Sequence, residues 1–167
     1  TEHTFMVIVA VIIGLLGGLG AVAIQWMIKL CSKLFWGEWD LTLQYLEGVP
    51  VLWKIAIPVI GSAIVGLIVY YFSREAKGHG VPEVMEAIAL RDGKIRPRVV
   101  FAKLFASSVY IGAGGSVGRE GPVIQIGSSI GSAVGQLLGV NPRRTNTFVA
   151  CGAASGIAAT FNAPVAG

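Results

Sequence analysis

Gly114-Gly-Ser-Val-Gly-Arg-Glu-Gly-Pro-Val-Ile-Gln-Ile-Gly127 puts a charged pair, Arg119 and Glu120, into an apolar part of the chain. Long uncharged stretches flank it on both sides. An ionisable pair at membrane depth is costly and by default marks an ion or substrate path. The glycines and Pro122 around the pair read as a break between two helices. Irregular backbone is tolerated in a membrane only where it is buried in protein or lines a cavity.

Composition makes lipid the expected solvent. The chain is 54% apolar and 13% charged, against about 25% charged for an ordinary soluble domain, and its mean hydropathy is +0.72. No cleavable signal pattern is present, because the first apolar run far exceeds the roughly 7–15 residues of a signal core. The chain opens without Met and stops at Gly167 inside an apolar run, so it reads as a piece of a longer membrane protein. Its net charge of +4 does not imply nucleic acid, since the basic residues collect in short connecting segments, as in cytoplasmic loops. Cys31 and Cys151 read as packed thiols. No Cys/His spacing supports a zinc site, so neither metal nor cofactor is expected.

Apolar runs predict an all-α membrane protein with spans at roughly 5–35, 51–72, 99–113, 122–138 and 143–160, since about 20 residues cross a bilayer as helix. Lys29 and Lys33 can snorkel from the first span, and Trp36 and Trp39 suit an interfacial belt. Residues 37–50 read as a loop that carries acidic residues and no Lys or Arg. Pro58 and Lys54 interrupt the second span. Segment 73–98 holds Arg74, Lys77, Arg91, Lys94, Arg96 and Arg98, which places it in the cytoplasm together with the N-terminus. Inside it, residues 81–90 read as a short helix, with Pro82 and Glu83 in its first turn.

The fourth span carries Gly127, Gly131, Gly135 and Gly139 every four residues, beside Ser128 and Ser132. That smooth strip lets another helix approach closely. Asn141-Pro142 starts the fifth span, and Asn162-Ala-Pro164 breaks it. Glycine-punctuated helices that meet near the midplane are typical of secondary transporters and related channels.

A Gly-rich turn entering a helix offers unpaired N–H groups and a partial positive charge, an anion site with no cationic side chain required. Gly118-Arg119-Glu120-Gly121-Pro122 has that form, and Glu120 at its mouth would compete with the anion. The other reading is an Arg–Glu pair that ties helices together. Gly78-His79-Gly80-Val81-Pro82 repeats the pattern, so two helix starts can converge on one point.

These residues carry a resemblance. Gly115-Ser-Val-Gly-Arg-Glu-Gly-Pro-Val-Ile-Gln-Ile-Gly127 resembles the second selectivity-filter segment of the CLC chloride channels and proton-coupled anion transporters. Gly78-His-Gly-Val-Pro82 resembles their first segment, Gly-Ser-Gly-Ile-Pro. Gly152 to Gly167 resembles the helix pair that follows. The resemblance implies the CLC inverted-repeat fold, with broken and re-entrant helices, of which this chain would be most of the first repeat. It implies a homodimer in the cell membrane with one path per subunit for a small inorganic anion, chloride by default, and protons as a possible coupled ion. It makes Glu120 the gate and proton acceptor, lines the anion sites with Gly118 to Gly121, and gives Arg119 the task of holding the loop. Burial works against a charged carboxylate at Glu120, while Arg119 and the helix N-terminus favour it; the sequence leaves that balance open, and with it channel against exchanger.

His79 departs from the family's serine. A neutral histidine facing the vestibule and a pH-tuned anion donor both fit, so fluoride or nitrate selectivity stands beside chloride. An enzyme reading, intramembrane serine proteolysis at Ser155, needs a positioned base, and His3 and His79 are the only histidines. Nucleotide loops fail, because Val117 stands where a dinucleotide motif needs glycine.

Overall fold

The computed structural model describes residues 2–72 and 80–163. Its described residues form seven helices: α1 Glu2–Trp36, α2 Leu43–Gly48, α3 Val51–Phe72, α4 Gly80–Leu90, α5 Pro97–Gly112, α6 Glu120–Leu137 and α7 Pro142–Phe161. No strand occurs among them.

The two most apolar helices face outward. Only 28% of the most apolar window of α1 and 11% of that of α3 is buried. The core helix of a soluble protein would bury most of such a surface, and water would not tolerate it exposed. With about 1.5 Å of rise per residue, both helices are long enough for a hydrocarbon layer of about 30 Å. The chain is an all-α membrane protein.

Three small cores hold the helices together. Val9 and Ile13 of α1 pack on Phe148 of α7. Ala21 and Ile24 of α1 meet Val100 of α5 with Val123 and Ile126 of α6. Trp36, Ile57 and Ala113 join α1, α3 and the end of α5.

α6 and α7 pack through backbone rather than side chains. A Cβ on Gly127 would run into the Gly152 carbonyl, and one on Gly152 into the Gly127 carbonyl. Gly131 lies on the Phe148 carbonyl in the same way, and a Cβ on Gly156 would stand 2.9 Å from the Val123 carbonyl oxygen. The expected strip therefore holds for its first three glycines, and Gly139 leaves it. It follows the Leu138 C-cap at φ 59°, the left-handed conformation that ends many helices.

Several boundaries differ from those read in the sequence. Residues 43–48 are helical rather than loop, because Thr42 caps them by accepting from the Tyr45 N–H at 3.4 Å. The Tyr45 hydroxyl then donates to the Trp36 carbonyl at 2.6 Å, fixing α2 to the end of α1. α3 runs unbroken through Pro58. α5 starts at Pro97, two residues early, with proline in the first turn, where its missing N–H costs nothing. α6 starts at Glu120 rather than Pro122, so the acidic residue belongs to the helix.

The link between α4 and α5 is clamped to α6. Ser132 Oγ donates to the Gly93 carbonyl at 2.6 Å and accepts from the Ile95 N–H at 3.0 Å. Ser132, read as part of a smooth face, is thus an anchor.

Candidate functional site: converging helix N-termini

Gly80 opens α4 and Glu120 opens α6, and the two helix starts meet. Gly80 is buried against Gly121, where a Cβ would lie 2.8 Å from the Gly121 carbonyl carbon. Each N-terminus presents free N–H groups and about half a positive charge. A cavity of about 390 Å³ opens beside them, walled in part by Gly80, Val81, Gly118, Glu120, Gly121 and Pro122. Lys103, Ala106, Ser107 and Tyr110 of α5, Val65 and Val69 of α3, and Val117 complete the wall.

Of the site residues expected from sequence, Gly80, Val81, Gly118, Glu120, Gly121 and Pro122 come together on this cavity. Pro82 is exposed in the first turn of α4. Gly78 and His79 lie outside the described residues. Glu120 is exposed at the start of α6, and its carboxylate folds back over Gly118: a Cβ on Gly118 would stand 3.0 Å from Glu120 Cδ. Arg119 is the exposed N-cap of α6 and makes no side-chain capping bond. Among the described residues, no ion pair joins Arg119 to Glu120. The pair is thus no tie between helices here, and among the described residues the Arg119 side chain makes no hydrogen bond or ion pair, while its carbonyl accepts from the Val123 N–H at 3.2 Å.

A part-buried polar cluster at the cavity wall escaped the sequence reading. Lys103 Nζ donates to Glu83 Oε2 at 3.0 Å, and Gln125 Nε2 donates to the same oxygen at 2.8 Å. Lys103 is 8% exposed and Gln125 1%. Gln125 Oε1 is buried without a partner. The cluster joins α4, α5 and α6. A lone lysine in an apolar helix was the available signal, since an intramembrane cation calls for a carboxylate partner.

Ser155 donates its hydroxyl to the Gly152 carbonyl at 2.8 Å and packs on Gly17. His3 lies in the exposed first turn of α1. Ser155 is occupied in helix packing.

The family model described as voltage gated chloride channel matches residues 61–167. The chain belongs to that family. Its CLC relatives include the H(+)/Cl(-) exchange transporter ClcA of Klebsiella pneumoniae, 33% identical over 97% of this chain and 34% of the relative. The H(+)/Cl(-) exchange transporter ClcA of Vibrio vulnificus is 40% identical over 70% of this chain and 26% of its own length. Among solved structures, that of a slow cyanobacterial Cl-/H+ antiporter superposes with a TM-score of 0.65 at 30% identity, over 96% of this chain and 36% of that one. The chain thus spans about a third of the length of the relatives it matches. Membership of this CLC family of channels and transporters sets the serine-protease reading aside.

Proposed function

We propose that this chain forms most of the first inverted repeat of a homodimeric, multi-pass CLC transporter that moves small inorganic anions, chloride first among them, across the cell membrane. The observation that carries the reading is the meeting of the α4 and α6 N-termini at Gly80 and Gly121 on one cavity, with Glu120 at the first position of α6. Gly78 to Pro82 and Gly118 to Pro122 are the anion-binding segments. Their backbone N–H groups replace part of the anion's hydration, and the two helix dipoles favour its charge. Binding by partial charges also allows release. The basic segment 73–98 faces the cytoplasm.

Glu120 is the gate. As a carboxylate it competes with the anion for the helix N-terminus; protonated, it loses that competition and swings away. A carboxylate that alternates in this way can also carry the proton, as exchange requires; relatives are named both as H(+)/Cl(-) exchange transporters and as a putative chloride channel protein. No cofactor is required, since the ligands are anion and proton. Chloride flux through liposomes carrying the full-chain protein tests the reading. Glu120→Gln, which mimics the protonated gate, is expected to retain flux and lose its pH dependence. Unchanged pH-dependent flux in that variant overturns the gating role.

His79 supports a second selectivity. It stands where the family's first segment has serine, and it would donate a ring N–H to the anion. Fluoride or nitrate would then rival chloride. Identical chloride, nitrate and fluoride flux in wild type and His79→Ser removes this second reading.

A further inference from the structure

Lysine is almost never fully buried unless paired, and a buried ion pair is weak evidence for stability, because apolar residues of similar volume often serve as well or better. Lys103 nevertheless sits 8% exposed in the apolar α5. Its place explains more than its pairing: it lines the same cavity as Glu120, Gly118 and the start of α4. Glu83, the fourth residue of α4, stands behind it with its carboxylate held by Lys103 Nζ at 3.0 Å and Gln125 Nε2 at 2.8 Å. A positive charge on the cavity wall strengthens anion binding, and in a low-dielectric site an unopposed one would slow release. A carboxylate in contact with it offsets that attraction.

We infer that Lys103 and Glu83 form an opposed-charge pair that sets how tightly the anion is held, with Gln125 positioning Glu83. Lys103 supplies attraction beyond that of the helix N-termini, and Glu83 limits it so that the ion can leave. Neither residue belongs to the two glycine segments, and neither acts as the gate. The inference rests on the anion-transport reading above.

The two charges must then act with opposite sign. Chloride titration calorimetry on the full-chain protein in detergent is expected to show weaker binding in Lys103→Gln and tighter binding in Glu83→Gln, each by about tenfold. The double variant should fall between them. Lys103→Arg should keep more affinity than Lys103→Gln, because it keeps the charge. A structural role alone would lower thermal stability in both single variants and shift affinity in the same direction or not at all. That result overturns the inference. If Lys103→Gln does not fold, Glu83→Gln still decides, since the inference requires tighter binding and slower chloride efflux there. Absence of chloride binding to wild type defeats the transport reading itself, and the inference with it; wild-type binding with no opposed shift defeats the inference alone.

Discussion

Gly80 at the start of α4 abuts the Gly121 carbonyl near the start of α6, and the contact is asymmetric. A Cβ on Gly80 would stand 2.8 Å from the Gly121 carbonyl carbon, whereas one on Gly121 would meet the Gly80 nitrogen at an ordinary 3.8 Å. The Gly80→Ala variant must therefore push two helix N-termini apart, and overpacking of this kind costs about 1–3 kcal/mol. Gly121→Ala should lower the melting temperature much less. Comparing the two melts in detergent checks the asymmetry, and equal losses would contradict it.

Glu120 and Gly118 make a second steric pair. The carboxyl group of Glu120 occupies the space that a Cβ on Gly118 would need, with Cδ 3.0 Å from that point. Gly118→Ala should expel the side chain and weaken the gate, raising chloride flux under conditions where Glu120 holds it down. In a Glu120→Ala background the same change has nothing to expel, so its effect should vanish. Flux measured over this double-mutant cycle reads the coupling. Additive effects would mean that Gly118 acts on the loop and not on Glu120.

The glycine strip predicts a graded series. A Cβ on Gly131 would lie 2.9 Å from the Val149 backbone nitrogen and closer still to the Phe148 carbonyl. Backbone cannot step aside without parting α6 from α7. A Cβ on Gly135 would instead meet the Thr145 side chain at 3.0 Å, a contact that a shift of a few tenths of an ångström relieves. Gly131→Ala should thus destabilise by about 1–3 kcal/mol and Gly135→Ala by clearly less. Thermal melts of the two variants provide the measurement.

These contacts also mark what the sequence could convey. Gly127, Gly131 and Gly135 were legible because a four-residue period is local and puts them on one helix face. Gly139 kept the period but sits beyond the helix, where only the φ of 59° distinguishes an end from a continuation. Pro142 correctly marked the start of α7, while Pro122 misplaced the start of α6 by two residues, since proline is tolerated throughout the first turn. The meeting of Gly80 with Gly121 was suggested by two like motifs. The Lys103–Glu83–Gln125 cluster was not, because its members lie 20 and 42 positions apart from Glu83 and only the packing of α4, α5 and α6 unites them.

Ser132 offers a prediction that separates anchoring from packing. Its hydroxyl donates to Gly93 O at 2.6 Å while accepting from Ile95 N at 3.0 Å and Gln136 Nε2 at 3.0 Å. Ser132 is fully buried, so Ser132→Ala removes a hydrogen-bond partner from the Gly93 carbonyl and the Ile95 N–H. Orphaned buried groups cost about 1–3 kcal/mol. The cost should appear locally, because α6 retains its glycine contacts with α7 while the link from Arg91 to Arg96 loses its clamp. Limited trypsin digestion should therefore cut after Arg91 or Lys94 faster in the variant, with little change in helical content by circular dichroism. Cleavage unchanged from wild type would mean that the other contacts of the link suffice to hold it.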